Sequence, residues 1–230
     1  MNVAIIPARG GSKRIPRKNI KLFKGKPMMA YSIEAAQKSE CFDRILVSTD
    51  DAEMARVARS LGAEVPFIRP ASLADDHTAT VPVIKHTLEF LLKSGYQVEF
   101  SCCIYATAPF VQAGDLKLAF DKFKRSDGDY CLSVTGYPYP IQRSLRLNES
   151  GKIQMLYPEN YLVRSQDLEE VYHDAGQFYF GRTQAWLQEK PILSEQSLPF
   201  IIPRSRVQDI DTLEDWVQAE LMYEYLKSKN

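Results

Sequence analysis

Short apolar runs and helical stripes alternate along most of this chain. Strand-like runs fall at residues 3–6, 44–48, 65–68, 101–105, 130–134, 177–180 and 200–202. Between them, apolar positions recur at three- and four-residue spacing over 28–38, 52–61, 81–92, 113–124 and 213–227, the period of a helix with one buried face. This rhythm predicts an α/β domain of Rossmann-like type. Continuous apolar strands such as Arg44-Ile45-Leu46-Val47-Ser48 suit a sheet covered by helices on both faces. Right-handed crossovers then put ligands at the carboxyl ends of the strands.

The rhythm fails between Gly136 and Asp174, where prolines, glycines and tyrosines replace any helical period. The expected organisation is one domain over 1–230, with 136–176 as an inserted excursion, a lid or subunit contact, before the chain re-enters the sheet at Gln177. A length of 230 residues is enough for such a domain to bury a full core.

Charge changes the picture more than composition does. Lys and Arg total 29, as do Asp and Glu, which argues against a generic nucleic-acid surface. Yet residues 1–33 hold eight basic residues and no acid, leaving 21 basic against 29 acidic elsewhere. A local cationic site on an acidic body suits a small phosphorylated ligand. The four cysteines (Cys41, Cys102, Cys103, Cys131) lack CxxC spacing and are expected as buried free thiols, and three scattered histidines give no zinc pattern. With no signal-peptide core and no apolar run of about 18 residues, the expectation is a cytoplasmic protein without a membrane partner.

The cations gather in Ala8-Arg9-Gly10-Gly11-Ser12-Lys13-Arg14-Ile15-Pro16-Arg17-Lys18-Asn19, directly after the first strand. Paired glycines can take φ > 0 and let backbone N–H groups converge on an anion, while Arg9, Lys13, Arg14, Arg17 and Lys18 supply charge and forked donors to phosphate oxygens. The order fits neither a Walker A loop nor GxGxxG. A tight turn with a solvated basic face is the plain alternative. Against it, so many cations without a counter-charge repel one another unless an anion visits. Near the other end, Asp209 and Asp211 flank Ile210; in an extended segment both carboxylates face one side and can meet one cation, and magnesium suits few carboxylates plus phosphate oxygens. Capping of the last helix through Thr212 and Asp215 competes for Asp211 but leaves Asp209 unexplained.

These motifs, with Val47-Ser48-Thr49-Asp50, Arg69-Pro70-Ala71, Asp76 with Thr78, Thr107-Ala108-Pro109 and Asp209-Ile210-Asp211-Thr212, resemble in order the cytidylyltransferases that activate nonulosonic and ulosonic acids, the family that includes CMP-sialic acid synthetase. The resemblance runs through almost the whole chain. It implies a nucleotide-diphosphosugar transferase fold with a mostly parallel mixed sheet, a magnesium ion held by Asp209 and Asp211, a homodimer, and CTP and an acidic nine-carbon sugar as substrates. It also implies nucleotide contacts from Ala8, Arg9, Gly10, Gly11, Ser12, Lys13, Lys18 and Asn19, and a cytosine pocket of Arg69, Asp76, Thr78 and Ala79. Arg9, Lys13, Lys18 and Asp211 carry the implied catalytic roles.

For the sugar, the runs Leu162-Val163-Arg164-Ser165-Gln166 and His173-Asp174-Ala175-Gly176-Gln177-Phe178-Tyr179 resemble the family's carboxylate- and sugar-binding segments. Arg164, Gln166, Asp174 and Gln177, with Tyr105 and Thr107, are the implied sugar contacts. Tyr105 stands where sialate enzymes carry Gln, and Ala175 where they carry Asn; the runs 12–19, 103–110 and 173–179 most resemble those of pseudaminate-activating members, so the resemblance implies pseudaminic acid as the sugar, with legionaminate or sialate as alternatives. The resemblance then implies a place in nucleotide-sugar biosynthesis for flagellin glycosylation. A nucleotide-binding regulator that kept the fold and lost turnover is the alternative of another class. Intact Lys13, Lys18, Asp209 and Asp211 speak against it.

Overall fold

A computed structural model describes residues 1–229. In chain order the elements are β1 (Asn2–Pro7), β2 (Leu22–Phe23), β3 (Lys26–Pro27), α1 (Met28–Ser39), β4 (Arg44–Ser48), α2 (Ala52–Ser60), α3 (Thr80–Lys93), β5 (Phe100–Ile104), α4 (Ala113–Lys124), β6 (Tyr130–Gly136), β7 (Leu145–Leu147), β8 (Ile153–Met155), β9 (Tyr172–Arg182), α5 (Thr183–Leu187), β10 (Ser197–Ile201) and α6 (Leu213–Lys227). The main sheet has the order β10-β6-β9-β5-β1-β4. β1 pairs in parallel with β4 and β5, and β10 with β6, while β9 runs antiparallel between β5 and β6. It is the mostly parallel mixed sheet expected.

Period-two alternation divides the sheet's side chains between two cores. Ala4, Ile6, Cys102, Ile104, Phe178 and Phe180 meet α1, α2 and α4 on one face. Val3, Ile5, Leu46, Cys103, Leu132 and Tyr179 meet α3 and α5 on the other. Adjacent Cys102 and Cys103 thus enter opposite cores, both fully buried, and burial raises both thiols above their ordinary range. All four cysteines are free, with Cys41 half-buried. A third cluster joins the amino-terminal loops to the last helix: Ile15, Phe23, Met28, Tyr31 and Phe110 pack with Ile210, Trp216 and Ala219. No helix among the described residues is long and apolar enough to cross a membrane.

Two sequence expectations are corrected, and one element lies outside them. Residues 65–68 form no strand. Their approach to β4 is limited to a single bridge, Leu46 with Glu64, followed by the Arg69 N–H to Thr49 O bond at 2.8 Å. Pro66 lacks a donor, and Ile68 stays exposed beyond the sheet edge. The excursion is not patternless either: it contains the β7–β8 hairpin and ends sooner, because β9 begins at Tyr172 and pairs with Gly136. The β2–β3 hairpin, turning through Lys24 and Gly25 at φ 46° and 88°, escaped the pattern because its strands are two residues long.

Candidate active site

The carboxyl ends of β1, β4, β5, β6 and β10 and the amino end of β9 share one sheet edge, so the loops of both sequence motifs open there. Two clefts adjoin at this edge. One is lined by Arg9, Ser12, Lys18, Asn19, Arg69, Thr78, Ala79 and Thr80, with Tyr105 and Thr107 on its wall. The other, about 600 Å³, is lined by His173, Asp174, Ala175, Gly176, Tyr179, Gln208, Asp209 and Asp211. Lys18, Tyr105 and Thr107 belong to both. Tertiary structure therefore brings Lys18 beside Asp211 across 193 positions of sequence, Nζ to Oδ1 at 3.3 Å, with a further bond to the Ile210 carbonyl.

The cationic loop is not short of counter-charge, as the sequence suggested; acids from later in the chain reach it. Asp76 accepts from Arg9 Nη1 at 2.6 Å and also pairs with Lys13, whose ammonium and the Arg9 guanidinium hold its carboxyl below the usual range. Arg14 pairs with Asp211 at 2.8 Å, and Arg17 with Asp51 at 2.7 Å. Lys24 and Lys26 turn away to Glu224 and Glu34. Lys21 lies over the Trp216 ring at 4.6 Å. The glycines also act differently from expectation. Neither Gly10 nor Gly11 has positive φ. Gly10 is required by close approach, since an added Cβ would lie 3.1 Å from Asp51 Cβ, and its N–H donates to Asp50 Oδ1 at 2.9 Å.

The other residues expected at the nucleotide divide into lining and support. Ala8 is fully buried and its N–H is spent on Ser48 O at 2.9 Å, so it shapes the loop from below. Asn19 lines the cleft while its amide holds Arg9 O at 3.0 Å. Arg69 is 4% exposed, donates to Ser48 O and Leu73 O, and leaves Nε without a partner among the described residues. Burial pulls its guanidinium below the ordinary value, with Asp50 acting in the opposite direction. Thr78 is drawn to Asp75 Oδ1 at 2.7 Å by both its N–H and its hydroxyl.

The carboxylate pair is divided in the same way. Thr212 and Asp215 form the capping box of α6, and Asp215 also accepts the Asp211 N–H at 3.0 Å. The Asp211 side chain is left free to face Lys18 and Arg14. Asp209 has no salt-bridge partner among the described residues; crowding out of water, then the neighbouring Asp211 charge, raises its carboxyl above the usual range. Two like charges on one side of an extended segment, one of them unpaired, is a donor set that a hard divalent cation relieves. No group of three or more His, Cys, Asp or Glu suited to a metal occurs among the described residues, so an ion held here would need further oxygens from a ligand or water.

In the second cleft, Asp174 Oδ1 accepts the N–H of Gly176, which sits at φ 62°, and Oδ2 accepts the Tyr179 hydroxyl. Tyr179 packs edge-on to Tyr105 at 5.5 Å, and Tyr105 meets Thr80 Oγ1 at 3.0 Å. Burial raises both phenols, so they stay neutral hydrogen-bonding groups. Three expected contacts are not brought here. Arg164 and Gln166 line neither cleft; they lie on the excursion, where Arg164 forks onto Asp167 at 2.7 and 3.1 Å. Gln177 points the other way along β9, 3% exposed, with Nε2 on Arg206 O at 2.6 Å. Sequence reasoning did not assign Asp50, His173, Tyr179 or Gln208 to the site. Asp50, His173 and Tyr179 stand inside motifs already singled out, which was the available signal.

The fold is shared with the structure of CMP:2-keto-3-deoxy-manno-octonic acid synthetase complexed with CTP: over 97% of this chain and 98% of the other the two superpose with TM-score 0.72 at 15% identity, a likeness of fold. Residues 3–226 match the family described as cytidylyltransferase, and the chain belongs to that family of enzymes. Among its relatives is a pseudaminic acid cytidylyltransferase of Campylobacter jejuni, 46% identical over 96% of each chain. The CMP-N,N'-diacetyllegionaminic acid synthase of Legionella pneumophila is 33% identical, again over 96% of each.

Proposed function

We propose that this enzyme transfers CMP from CTP to the anomeric hydroxyl of pseudaminic acid and releases pyrophosphate. The observation that carries the reading is the pair of adjoining clefts that share Lys18, Tyr105 and Thr107, one beside the cationic loop and the other beside Asp174, Asp209 and Asp211. The similarity to the Campylobacter enzyme favours pseudaminate over other nonulosonic acids.

In this reading the triphosphate replaces Asp76 as the partner of Arg9 and Lys13. The bond from the sugar oxygen to the α-phosphorus forms in line with the bond that breaks to pyrophosphate, and the hydroxyl proton is released to water. Lys13 and Lys18 offset the charge that develops on the leaving group, and both substrates are held at one edge so that orientation lowers the barrier. Asp209 and Asp211 are the residues to hold magnesium, which when bound supplies charge neutralisation to the phosphates. Tyr105, Thr107 and Asp174 present hydroxyl and carboxylate acceptors to the sugar. The exposed apolar side chains of the excursion, among them Leu147, Ile153 and Leu162, are the surface for a homodimer.

Pyrophosphate release, measured with CTP over a panel of acidic sugars, tests the reading. Pseudaminate is expected to outrun legionaminate and N-acetylneuraminate, and UTP to be a poor substitute for CTP. Equal use of sialate and pseudaminate overturns the sugar assignment, and no release with any nonulosonate overturns the activity.

A further inference from the structure

Asp51, at the turn between β4 and α2, has no part in the chemistry above, yet it grips the far end of the cationic loop. Arg17 forks onto it, Nη1 to Oδ2 at 2.7 Å and Nη2 to Oδ1 at 3.0 Å, and reaches on to Glu53. Arg17 does so from a left-handed backbone at φ 56°, a conformation that a non-glycine residue holds only when its surroundings fix it. Asp51 is itself immobilised, because Oδ1 caps α2 by accepting from the Glu53 and Met54 N–H groups at 2.9 Å each. At the near end, the neighbouring Asp50 holds the Gly10 N–H at 2.9 Å. Gly10 also lies against Asp51, so close that a Cβ would come within 3.2 Å of Oδ2. Two consecutive acids therefore fasten both ends of a segment whose middle carries Ser12, Lys13 and Arg14.

We infer that Asp51 and Arg17 are positioning residues: their bidentate pair ties the cationic loop to the capped end of α2 and so sets where Lys13 and Arg9 meet a nucleotide triphosphate. This rests on the nucleotide reading of that loop. A planar fork on a fixed carboxylate defines orientation as well as distance, which a single charge contact does not. The pair is partly exposed, Arg17 39% and Asp51 21%, so its effect on global stability is small and its effect on loop geometry dominates. A catalytic cation displaced by about 1 Å costs on the order of 10²-fold in rate.

Asp51→Asn separates the two duties of this residue, because Asn caps a helix as well as Asp does but cannot hold Arg17 by charge. Arg17→Gln removes the same fork from the other side. Each variant is expected to raise the KM for CTP about tenfold, with the sugar KM and Tm nearly unchanged, and the double variant to be no worse than either single one. Titration with inorganic tripolyphosphate, without sugar or turnover, is expected to show the same tenfold loss of affinity. Unchanged tripolyphosphate affinity in Asp51→Asn overturns the inference, as do losses that multiply in the double variant or that fall equally on the sugar KM. A wild-type protein that binds tripolyphosphate but releases no pyrophosphate with any sugar defeats the proposed function and leaves the clamp standing.

Discussion

At the scale of single residues, the basic cluster separates into members with different duties. Lys13 is 80% exposed at its side chain and, among the described residues, is held only by Asp76, so it is free to transfer to a phosphate. Lys24 is engaged with Glu224 on the distant face of α6. Lys13→Ala is therefore expected to lower kcat/KM by about 10²-fold or more, the size seen when a preorganised charge stabiliser is deleted. Lys24→Ala is expected to change it less than about threefold, because an exposed ion pair contributes little. Steady-state kinetics on the two variants separates a specific cradle from a diffuse patch. Asp209 gives a second test, with the sign fixed by its raised pKa. A carboxyl that holds its proton more tightly when folded supports the fold fully below the ordinary Asp range, and that support is lost as pH rises through the raised value. At neutral pH the ionised group thus weakens the metal-free fold. Asp209→Asn is expected to raise the metal-free Tm slightly, to abolish the rise in Tm that magnesium gives the wild type, and to cut turnover about 10²-fold. Thermal scans with and without magnesium check all but the last of these.

Among the elements, α6 does more than close the chain. Trp216 is 5% exposed and meets Phe23 edge-on at 5.4 Å, while Tyr223 meets both Phe23 and Tyr31. This aromatic cluster packs Ile15 of the cationic loop and Ile210 of the carboxylate segment on one surface. The helix thereby holds the two halves of the site together from beneath. Trp216→Ala is expected to cost about 3 kcal/mol or more of unfolding free energy, measured in denaturant. Because the cavity opens under both segments, the folded variant is also expected to lose activity beyond what its unfolded fraction explains. Leu118 on α4, exposed and far from that surface, serves as the control.

For the whole molecule, the proposed homodimer is what gives the excursion a role. Leu147, Ile153 and Leu162 stand more than two-thirds exposed on a hairpin and loop with no core of their own. Sedimentation is expected to show a dimer in the wild type and a monomer after Leu147→Asp with Ile153→Asp. The monomer is expected to keep its far-UV spectrum, since the two cores of the main sheet lie elsewhere.

The alternation of strands and helices, the phosphate loop and the acidic pair were legible because each is local: period two or 3.6, a glycine pair, two acids two residues apart. Even the capping box of Thr212 and Asp215 could be read in place. Local pattern thus carried the α/β class and the sheet edge where the two motifs open, while Arg69, Thr78, Ala79, Tyr105 and Asp174 were placed at the clefts by resemblance and are found lining them. The tertiary structure decided who faces whom. It supplied Asp76, Asp211 and Asp51 as partners for cations that seemed unopposed, placed Lys18 against Asp211, turned Gln177 into the interior and left Arg164 on the excursion. Those outcomes depend on register across β1, β5 and β9, and on how loops from distant strands converge. No window along the chain contains that information, because contacts between residues 9 and 76, or 18 and 211, exist only once the sheet has formed.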